Sequence, residues 1–190
     1  MADEKLRLFV AVQVPDEHLA WLEEATGDLS SLPGARWTPR ENRHVTLSFL
    51  GWLRAALLPD VVATTELVAA AHSPASVALD GLGAFPRERR ARVLWAGVDD
   101  PNGLLPSLAV GLGAGFEPLG VAPEARAYAP HLTLARFKNP GSLEGLLPAV
   151  PRSAPFLVER ITLYRSRLSP RGPRYEVLHE AYLTGAGVSR

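Results

Sequence analysis

The sequence of 190 residues contains no cysteine, and it carries no net charge because 20 Lys and Arg residues balance 20 Asp and Glu residues. The absence of cysteine excludes disulfide scaffolds, thiolate nucleophiles, and zinc or iron–sulfur sites with cysteine ligands. No apolar run approaches the roughly 18 residues that a transmembrane helix needs. Hydrophobic residues make up 47% of the chain. This fraction excludes disorder as the dominant state and predicts one domain, or two closely packed lobes, with a real core.

The first residues, Met1 to Lys5, lead directly into a strand-like segment. We therefore expect no secretory signal and a soluble cytoplasmic protein, without a membrane partner. Nothing in the sequence marks a subunit interface, so we expect a monomer. Although the net charge is zero, the charges are unevenly distributed along the chain. Residues 84–96 form a basic segment in which Glu88 is the one acidic residue beside four arginines, Arg87, Arg89, Arg90 and Arg92. Such a segment suits an anionic ligand such as a polynucleotide, and it equally suits a solvated surface.

Hydrophobic periodicity alternates between strand and helix patterns along the chain. Strands are predicted over residues 6–14, 43–51, 77–82, 91–98, 131–138, 156–164 and 175–184. Helices are predicted after Pro15, after Pro59 and from Leu104 to Leu112. Gly111, Gly113 and Gly115 are expected to weaken the end of the third helix. A short helical turn is expected over 142–147. Neither a GxGxxG nor a GxxxxGK[ST] loop is present, so Rossmann and P-loop nucleotide sites are not supported. The pattern favours an α+β architecture.

One four-residue motif occurs twice. The sequence His44-Val45-Thr46-Leu47 returns as His131-Leu132-Thr133-Leu134, each copy on a predicted strand that follows a proline-containing loop. Two of only 5 histidines lie in this context, which is hard to attribute to chance. The repeat predicts two similar lobes that each contribute one His-x-Thr-Leu strand.

Strand geometry explains the spacing within the motif. Side chains alternate between the faces of a strand, so His44 and Thr46 share one face while Val45, Leu47 and Phe49 share the other. The same alternation separates the histidine and threonine of the second copy from its leucines. We expect the apolar side chains to face a helix layer, and the polar pairs to face a groove between the lobes.

Two imidazoles and two hydroxyls across one groove suit chemistry at phosphorus. Imidazoles titrate near pH ~6.5, so one can accept a proton while the other donates one. Hydroxyls can donate hydrogen bonds to the oxygens of a bound anion. Such acid–base chemistry requires no metal ion. The residue types by themselves do not indicate which histidine is the acid.

Other readings of the histidines are weaker. A metal site would lack a third Asp, Glu or His ligand at suitable spacing. A Ser-His-Asp hydrolase would lack its nucleophile elbow. The remaining histidines, His18, His72 and His179, have no repeated context and are interpreted as surface or structural residues.

The motifs resemble those of a known family. Arg7–Val12, His44–Gly51 and Pro130–Arg136 are similar to segments of the 2H phosphoesterase superfamily, and Ile161–Ser166 and Tyr175–Leu183 extend the likeness. Within it the match is to the group of RNA 2′,3′-cyclic phosphodiesterases, also described as 2′-5′ RNA ligases. The resemblance spans residues 6–184. It implies a single bilobal domain over residues 1–190, of class α+β, with two pseudo-symmetric antiparallel sheets, helices packed outside and a central cleft.

The resemblance also implies an activity and residue roles. The reaction would be hydrolysis of RNA ends or nucleoside 2′,3′-cyclic phosphates to 2′-phosphomonoesters, without a cofactor. His44 would protonate the leaving 3′-oxygen, and His131 would act as base on the attacking water. Thr46 and Thr133 would hold the phosphate oxygens.

Four further side chains are candidates for substrate contact. Arg136 matches the arginine that follows the second motif in the family, and a guanidinium suits a phosphate. Five residues separate it from His131, so simple alternation places it on the opposite face unless the strand contains a bulge. Phe9 and Tyr164, and also Tyr128, could stack a base or serve in packing.

Three hypotheses about function stay open at this point. The first is a metal-independent phosphodiesterase acting on RNA ends. The second is a nucleotide- or RNA-binding module without significant turnover. The third is 2′-5′ RNA ligation by the reverse reaction, which the same site serves by microscopic reversibility.

Overall fold

The computed structural model describes residues 4–170 and 172–186, so residues 1–3 of the N-terminal segment lie outside the described part. Its strands are β1 (Lys5–Gln13), β2 (Ala35–Trp37), β3 (His44–Arg54), β4 (Ala75–Phe85), β5 (Ala91–Asp99), β6 (His131–Gly141), β7 (Phe156–Val158), β8 (Arg160–Arg167) and β9 (Arg174–Tyr182). The α-helices are α1 (Asp16–Ala25), α2 (Leu58–Ala70) and α3 (Leu104–Phe116). Short 3-10 helices cover Gly27–Ser31, Arg40–Asn42, Ala55–Leu57, Glu88–Arg90 and Glu117–Leu119.

The strands form one curled antiparallel sheet in the order β7-β4-β5-β6-β3-β1-β8-β9, with β2 paired to β6. Strands β3, β1, β8 and β9 make the first lobe, and β6, β5, β4 and β7 make the second. The expected α+β class is confirmed. The two antiparallel sheets that the family resemblance implied are joined edge to edge, where β3 and β6 pair at a single position, Val45 with Leu132.

The predicted strand over 156–164 is divided in the structure. Residues Phe156–Val158 form β7, which pairs with β4 of the second lobe, whereas Arg160–Arg167 form β8, which pairs with β1 of the first lobe. The chain therefore passes from one lobe to the other at Glu159. Periodicity could not reveal this crossing, because both pieces are apolar and extended. The helical turn expected over 142–147 is a hydrogen-bonded turn without a helix.

Helices α2 and α3 pack against each other and against strands of the first lobe. The third helix continues past the three glycines to Phe116, contrary to the expectation that they weaken its end. Gly111 and Gly115 lie one turn apart, and a Cβ atom at either would press on Val68 or Thr64 of α2. The glycines thus permit a close helix contact. None of the described helices is long and apolar enough to cross a membrane.

Candidate active site

The two His-x-Thr-Leu strands are neighbours at the centre of the sheet. Their one paired position, Val45 with Leu132, joins the second residues of the two motifs. Both side chains are buried in the core. Because adjacent residues alternate between faces, this antiparallel register brings His44 beside Thr133 and Thr46 beside His131 on the opposite, concave face. The two motifs therefore lie antiparallel to each other at the junction of the two lobes.

Each motif strand contains a bulge at the leucine that ends its motif. The pairing of β3 with β1 skips Leu47, and the pairing of β6 with β5 skips Leu134. A bulge shifts the alternation by one residue. It therefore brings Arg136 onto the concave face, as the family resemblance requires. The equivalent bulge brings Phe49 onto the same face, so the expectation that Phe49 faces the helix layer was wrong.

The concave face encloses a cavity of about 1170 Å³. The predicted histidines, threonines and Arg136 all line it, together with Phe9. Its other lining residues come from the first lobe, from the segment before β3, from the β8–β9 loop and, at Glu124, from the loop before β6. Among the described residues that line it, the charged ones are four arginines and two glutamates: Arg7, Arg36, Arg136, Arg174, Glu41 and Glu124. The cavity thus carries an excess of positive charge, which favours an anionic ligand.

His44 is held by aromatic rings. The Phe9 ring stacks on the imidazole with centroids 4.9 Å apart, and the Tyr175 ring meets it edge-on at 5.3 Å. The Tyr164 ring stacks on Phe9 at 5.0 Å and lies 6.1 Å from the His44 ring. The ring of His44 also makes a hydrogen bond with the backbone of Asn42. These contacts restrict the rotamer of His44 before any ligand binds.

His131 is oriented by its own backbone. Its Nδ1 lies 2.8 Å from the carbonyl oxygen of Ala129. A carbonyl can only accept a hydrogen bond, so Nδ1 carries the proton and Nε2 of the neutral ring keeps its lone pair. The Phe85 ring packs edge-on against the imidazole with centroids 4.9 Å apart. His131 is therefore prepared to accept a proton at Nε2.

The pKa values of both imidazoles are lowered. Burial lowers the pKa of His44 from 6.5 to about 4, and the nearby His131 and Arg136 add to this, while the hydrogen bond to Asn42 opposes it. Burial also lowers the pKa of His131, and Arg136 contributes in the same direction. Both rings are accordingly neutral in the free protein near pH 7.

The aromatic residues considered for base stacking or packing all make packing contacts in the structure. Phe9 is 3% exposed and Tyr164 is 8% exposed, and both pack beneath His44. Tyr128 donates a hydrogen bond from its hydroxyl to the backbone oxygen of Thr46, at 3.0 Å. These three rings therefore support the motif residues and leave little surface for a base. Phe49 is 52% exposed, borders the cavity and tilts against Phe9 at 6.1 Å.

Tyr175 was not found by sequence reasoning. It reaches His44 from β9, and burial raises the pKa of its hydroxyl although Arg136 and Arg7 oppose this. No motif marks it, because its proximity to His44 depends on the packing of β9 at the far edge of the first lobe. The segment before β3 was also missed: Asn42 donates from Nδ2 to the carbonyl oxygen of Pro173, at 3.0 Å, which ties this segment to the β8–β9 loop.

The remaining histidines lie outside the cavity. Nε2 of His18 contacts the carbonyl oxygen of Ala154 at 3.1 Å, and Nδ1 of His72 contacts that of Val68 at 2.7 Å. His179 approaches Glu66 at 3.0 Å. Among the residues that the structure describes, no three His, Asp or Glu side chains come together as a group that could hold a metal ion.

Two His-x-Thr strands that face one positively charged cleft of a curled antiparallel sheet define the class of the 2H phosphoesterases. The chain belongs to the 2′-5′ RNA ligase superfamily, whose family model matches residues 14–169. The resemblance drawn from the motifs is thus confirmed.

Curated relatives and solved structures agree with this assignment. A Thermus thermophilus protein named RNA 2′,3′-cyclic phosphodiesterase is 37% identical over 95% of this chain and 91% of its own length. A Thermotoga maritima protein of the same name is 30% identical over 95% and 97%. The crystal structure of T. thermophilus TT0787 gives a TM-score of 0.81 at 37% identity, covering 95% of this chain and 99% of that one. Escherichia coli LigT complexed with 3′-AMP gives 0.78 at 26% identity, with coverage of 95% and 99%.

Proposed function

We propose that this protein hydrolyses 2′,3′-cyclic phosphates at RNA ends or on nucleosides to 2′-phosphomonoesters. The observation that carries the proposal is the junction of the two motif strands at Val45 and Leu132, which brings His44 and His131 to one cleft with excess positive charge. The names of the relatives support the substrate class. Solved complexes of E. coli LigT with 3′-AMP and with phosphate support binding of a nucleotide phosphate in this fold.

In the proposed mechanism the two imidazoles act on opposite sides of the phosphorus atom. Nε2 of His131 accepts a proton from water, whose oxygen attacks phosphorus in line with the leaving 3′-oxygen. The P–O3′ bond breaks, and His44 donates a proton to O3′. The acid, the base and the phosphate ligands are all side chains, so the proposed mechanism uses no metal and no cofactor.

The other lining residues hold the substrate in this proposal. The hydroxyls of Thr46 and Thr133 donate hydrogen bonds to the non-bridging phosphate oxygens, where negative charge increases in the transition state. Arg136 supports the same charge from the bulged part of β6. The exposed ring of Phe49 stacks the base of the terminal nucleotide. Phe9, Tyr164 and Tyr175 position His44 and do not touch the substrate.

Phosphorus NMR tests the reaction directly. The purified protein is incubated with each nucleoside 2′,3′-cyclic monophosphate in the presence of EDTA, and the 2′-monophosphate is the expected product. A 3′-monophosphate would contradict the assignment of acid and base. A rate that EDTA abolishes and added metal restores would contradict the metal-independent mechanism. Absence of turnover on both cyclic mononucleotides and RNA with a cyclic end would favour the alternative, a binding module without turnover.

The lowered pKa values predict a difference between two pH profiles. The pH dependence of kcat/KM reports the free protein, in which the pKa of His44 is about 4 and that of His131 is also below 6.5. The form with one protonated and one neutral imidazole is therefore most abundant at acidic pH. A bound phosphate anion stabilises the imidazolium and raises the pKa in the complex, which kcat reports. We expect the maximum of kcat/KM to lie at lower pH than that of kcat.

Steady-state kinetics across about pH 4 to 9, with a cyclic mononucleotide, measures both profiles. Coincident maxima, or a maximum of kcat/KM above neutral pH, would contradict this explanation. The cytoplasmic location and the monomeric state stay predictions from the sequence.

A further inference from the structure

The concave face of the sheet continues along β1 and β3 beyond the first motif. Three pairs of facing residues follow one another on these strands: Phe9 with Phe49, Arg7 with Trp52, and Lys5 with Arg54. Facing residues of paired strands share one face of the sheet, with Cβ atoms about 5 Å apart. Because Arg7 lines the cavity, its partner Trp52 lies on the same face at the border of the cavity. This continuation, the β1–β3 strip, consists of Lys5, Arg7, Trp52 and Arg54.

Trp52 presents its indole ring to solvent on this face. The next residue, Leu53, is buried in the core and pairs with the buried Leu6, so Trp52 points to the opposite, concave side. The ring is 57% exposed, whereas the other three tryptophans of the chain are partly buried. An exposed aromatic ring beside a positively charged groove can stack a nucleic-acid base.

Arg7 is held in place without losing its charge. Its Nη1 donates a hydrogen bond to the Oγ of Ser166, at 3.0 Å, and Ser166 is buried. Arg7 forms no salt bridge with any residue that the structure describes. A guanidinium has five N–H donors, and the hydroxyl of Ser166 uses one of them. Arg7 can therefore bind an anion that lies between the cavity and Trp52.

Lys5 and Arg54 bring two further positive charges to the end of the strip. They face each other across the two strands, and like charges in such positions repel. Within the described part of the chain neither forms a salt bridge, and the acidic neighbour Glu4 is paired with Arg165 at 2.9 Å instead. A phosphate bound between them would remove this repulsion. The strip therefore favours a ligand that carries phosphodiesters.

The arginine-rich segment of the second lobe offers no comparable excess of charge. Its pocket of about 490 Å³ is lined by Arg87 and Arg89, which Glu88 and Glu144 balance. Arg89 is also paired directly with Glu144. The β1–β3 strip, in contrast, contains three cations and no acidic side chain.

The proposed mechanism determines which part of an RNA strand would reach the strip. The bond from phosphorus to O3′ points towards His44, and water approaches from the side of His131. The ribose of the terminal nucleotide therefore lies on the side of His44, over the first lobe. Its 5′-oxygen carries the next phosphate of the strand, so the preceding nucleotide extends over the lobe to which the strip belongs.

We propose that the β1–β3 strip binds the nucleotide that precedes the cyclic phosphate end. Arg7 binds the phosphodiester between the last two nucleotides, and Trp52 stacks the base of the preceding one. The rings of Phe49 and Trp52 face β1 residues that are two positions apart, roughly 7 Å, so successive bases can stack on them. The preferred substrate is then an RNA end of at least two nucleotides. This inference rests on the proposed function, because the terminal nucleotide must occupy the cleft.

The preference between two substrates tests the strip. Steady-state kinetics gives kcat/KM for adenosine 2′,3′-cyclic phosphate and for a diadenosine dinucleotide that ends in the same cyclic phosphate. We expect the wild-type protein to prefer the dinucleotide by about tenfold or more, the order of one stacked base. Trp52→Ala should lower this ratio by about tenfold. Because both substrates use the same acid and base, the ratio is insensitive to damage in the shared chemistry.

Matched controls come from surfaces outside the strip. Tyr182→Ala is the control for Trp52→Ala, since Tyr182 is also 57% exposed and lies outside the cavity. Arg7→Gln should lower the preference for the dinucleotide as well. Its control is Arg90→Gln, at an exposed arginine of the second lobe that lines neither the cavity nor the pocket beside β4. Both controls should keep the wild-type preference.

Altered dinucleotides separate the role of the ring from that of the guanidinium, and they test the strip in the wild-type protein itself. Removal of the 5′ base should lower the wild-type preference and have no further effect in Trp52→Ala. Replacement of the internal phosphate by a neutral methylphosphonate should lower the wild-type preference and have no further effect in Arg7→Gln. If both changes leave the wild-type preference intact, the strip does not bind the preceding nucleotide.

The remaining outcomes distinguish the strip from the proposed function. Equal kcat/KM for the two substrates in the wild-type protein would overturn the strip and leave the hydrolase intact. An unchanged preference in Trp52→Ala, or an equal fall in Tyr182→Ala, would also overturn it. Hydrolysis of neither substrate would contradict the proposed function. The same ratio is then taken from the dissociation constants of the 2′-phosphorylated dinucleotide and mononucleotide, where equal values would overturn the strip too.

Discussion

Replacing either cleft histidine by alanine is expected to lower turnover of a 2′,3′-cyclic mononucleotide by roughly 10²- to 10⁴-fold, the usual contribution of general acid–base catalysis. His44→Ala removes the proton donor, so O3′ must leave as an unprotonated alkoxide. His131→Ala removes the base, so water must attack without assistance. The fall should appear in kcat, because proton transfer occurs in the transition state, and phosphorus NMR or coupled assays can measure it.

His72→Ala provides the matched control, because His72 lies at the end of α2 with its Nδ1 on the Val68 carbonyl. It should turn over substrate like the wild-type protein. Near-normal rates in either cleft variant would contradict the two-histidine mechanism. Circular dichroism of each variant separates loss of activity from loss of fold.

A sulfur-substituted substrate can assign the two roles. A cyclic phosphorothiolate with sulfur at the 3′ position expels a thiolate. Thiols are far more acidic than alcohols, with a pKa of roughly 8.5 for cysteine, so this leaving group needs no general acid. We expect this substrate to restore turnover in His44→Ala and not in His131→Ala. If turnover were restored in His131→Ala alone, the assigned roles would be reversed, with His131 as the acid and His44 as the base.

Removing a motif hydroxyl is expected to lower turnover by roughly one to three decades, the effect of losing one transition-state donor. Thr46→Val and Thr133→Val preserve the side-chain shape, and the core neighbours of these residues are unaffected because Val45 and Leu132 face the other side. The developing charge on the phosphate oxygens exceeds that of the bound substrate. The loss should therefore fall on kcat more than on KM, which steady-state kinetics resolves.

Thr184→Val is the control for these variants, because Thr184 is exposed and its hydroxyl makes hydrogen bonds with the backbone of Ala70 and Ala186, away from the cavity lining. It should be indistinguishable from the wild-type protein. Unchanged kinetics in both cleft variants would remove the proposed role of the hydroxyls. A rise in KM with kcat preserved would show that they bind the ground state and transition state equally.

The alternation of side chains along β3 predicted the correct face of the sheet for some residues and the wrong face for Phe49. It correctly separated His44 and Thr46 from Val45 and Leu47, because burial alternates along β3 as far as Leu47, where the bulge begins. It misplaced Phe49, which lies beyond the bulge at Leu47. A bulge depends on how two strands pair, and a single strand's pattern does not contain that information.

The aromatic candidates show a similar limit. Phe9 and Tyr164 stack on or near the ring of His44, and of the two Phe9 also lines the cavity. Tyr175 completes the same cluster from β9 and carried no signal in the sequence. Whether an aromatic ring is exposed to the cavity depends on the packing of strands that are distant along the chain.

By itself the sequence determined the α+β class, the pair of His-x-Thr-Leu strands and the family, because periodicity and a repeated motif are local properties that survive without knowledge of packing. Only the tertiary structure decided that the two strands meet at Val45 and Leu132, and that bulges turn Arg136 and Phe49 into the cavity. It alone placed Trp52 beside Arg7 at the border of the cavity. The physical reason is that a site formed between strands is a product of their pairing, and pairing partners here lie far apart in the chain, as Leu8 and Arg165 do.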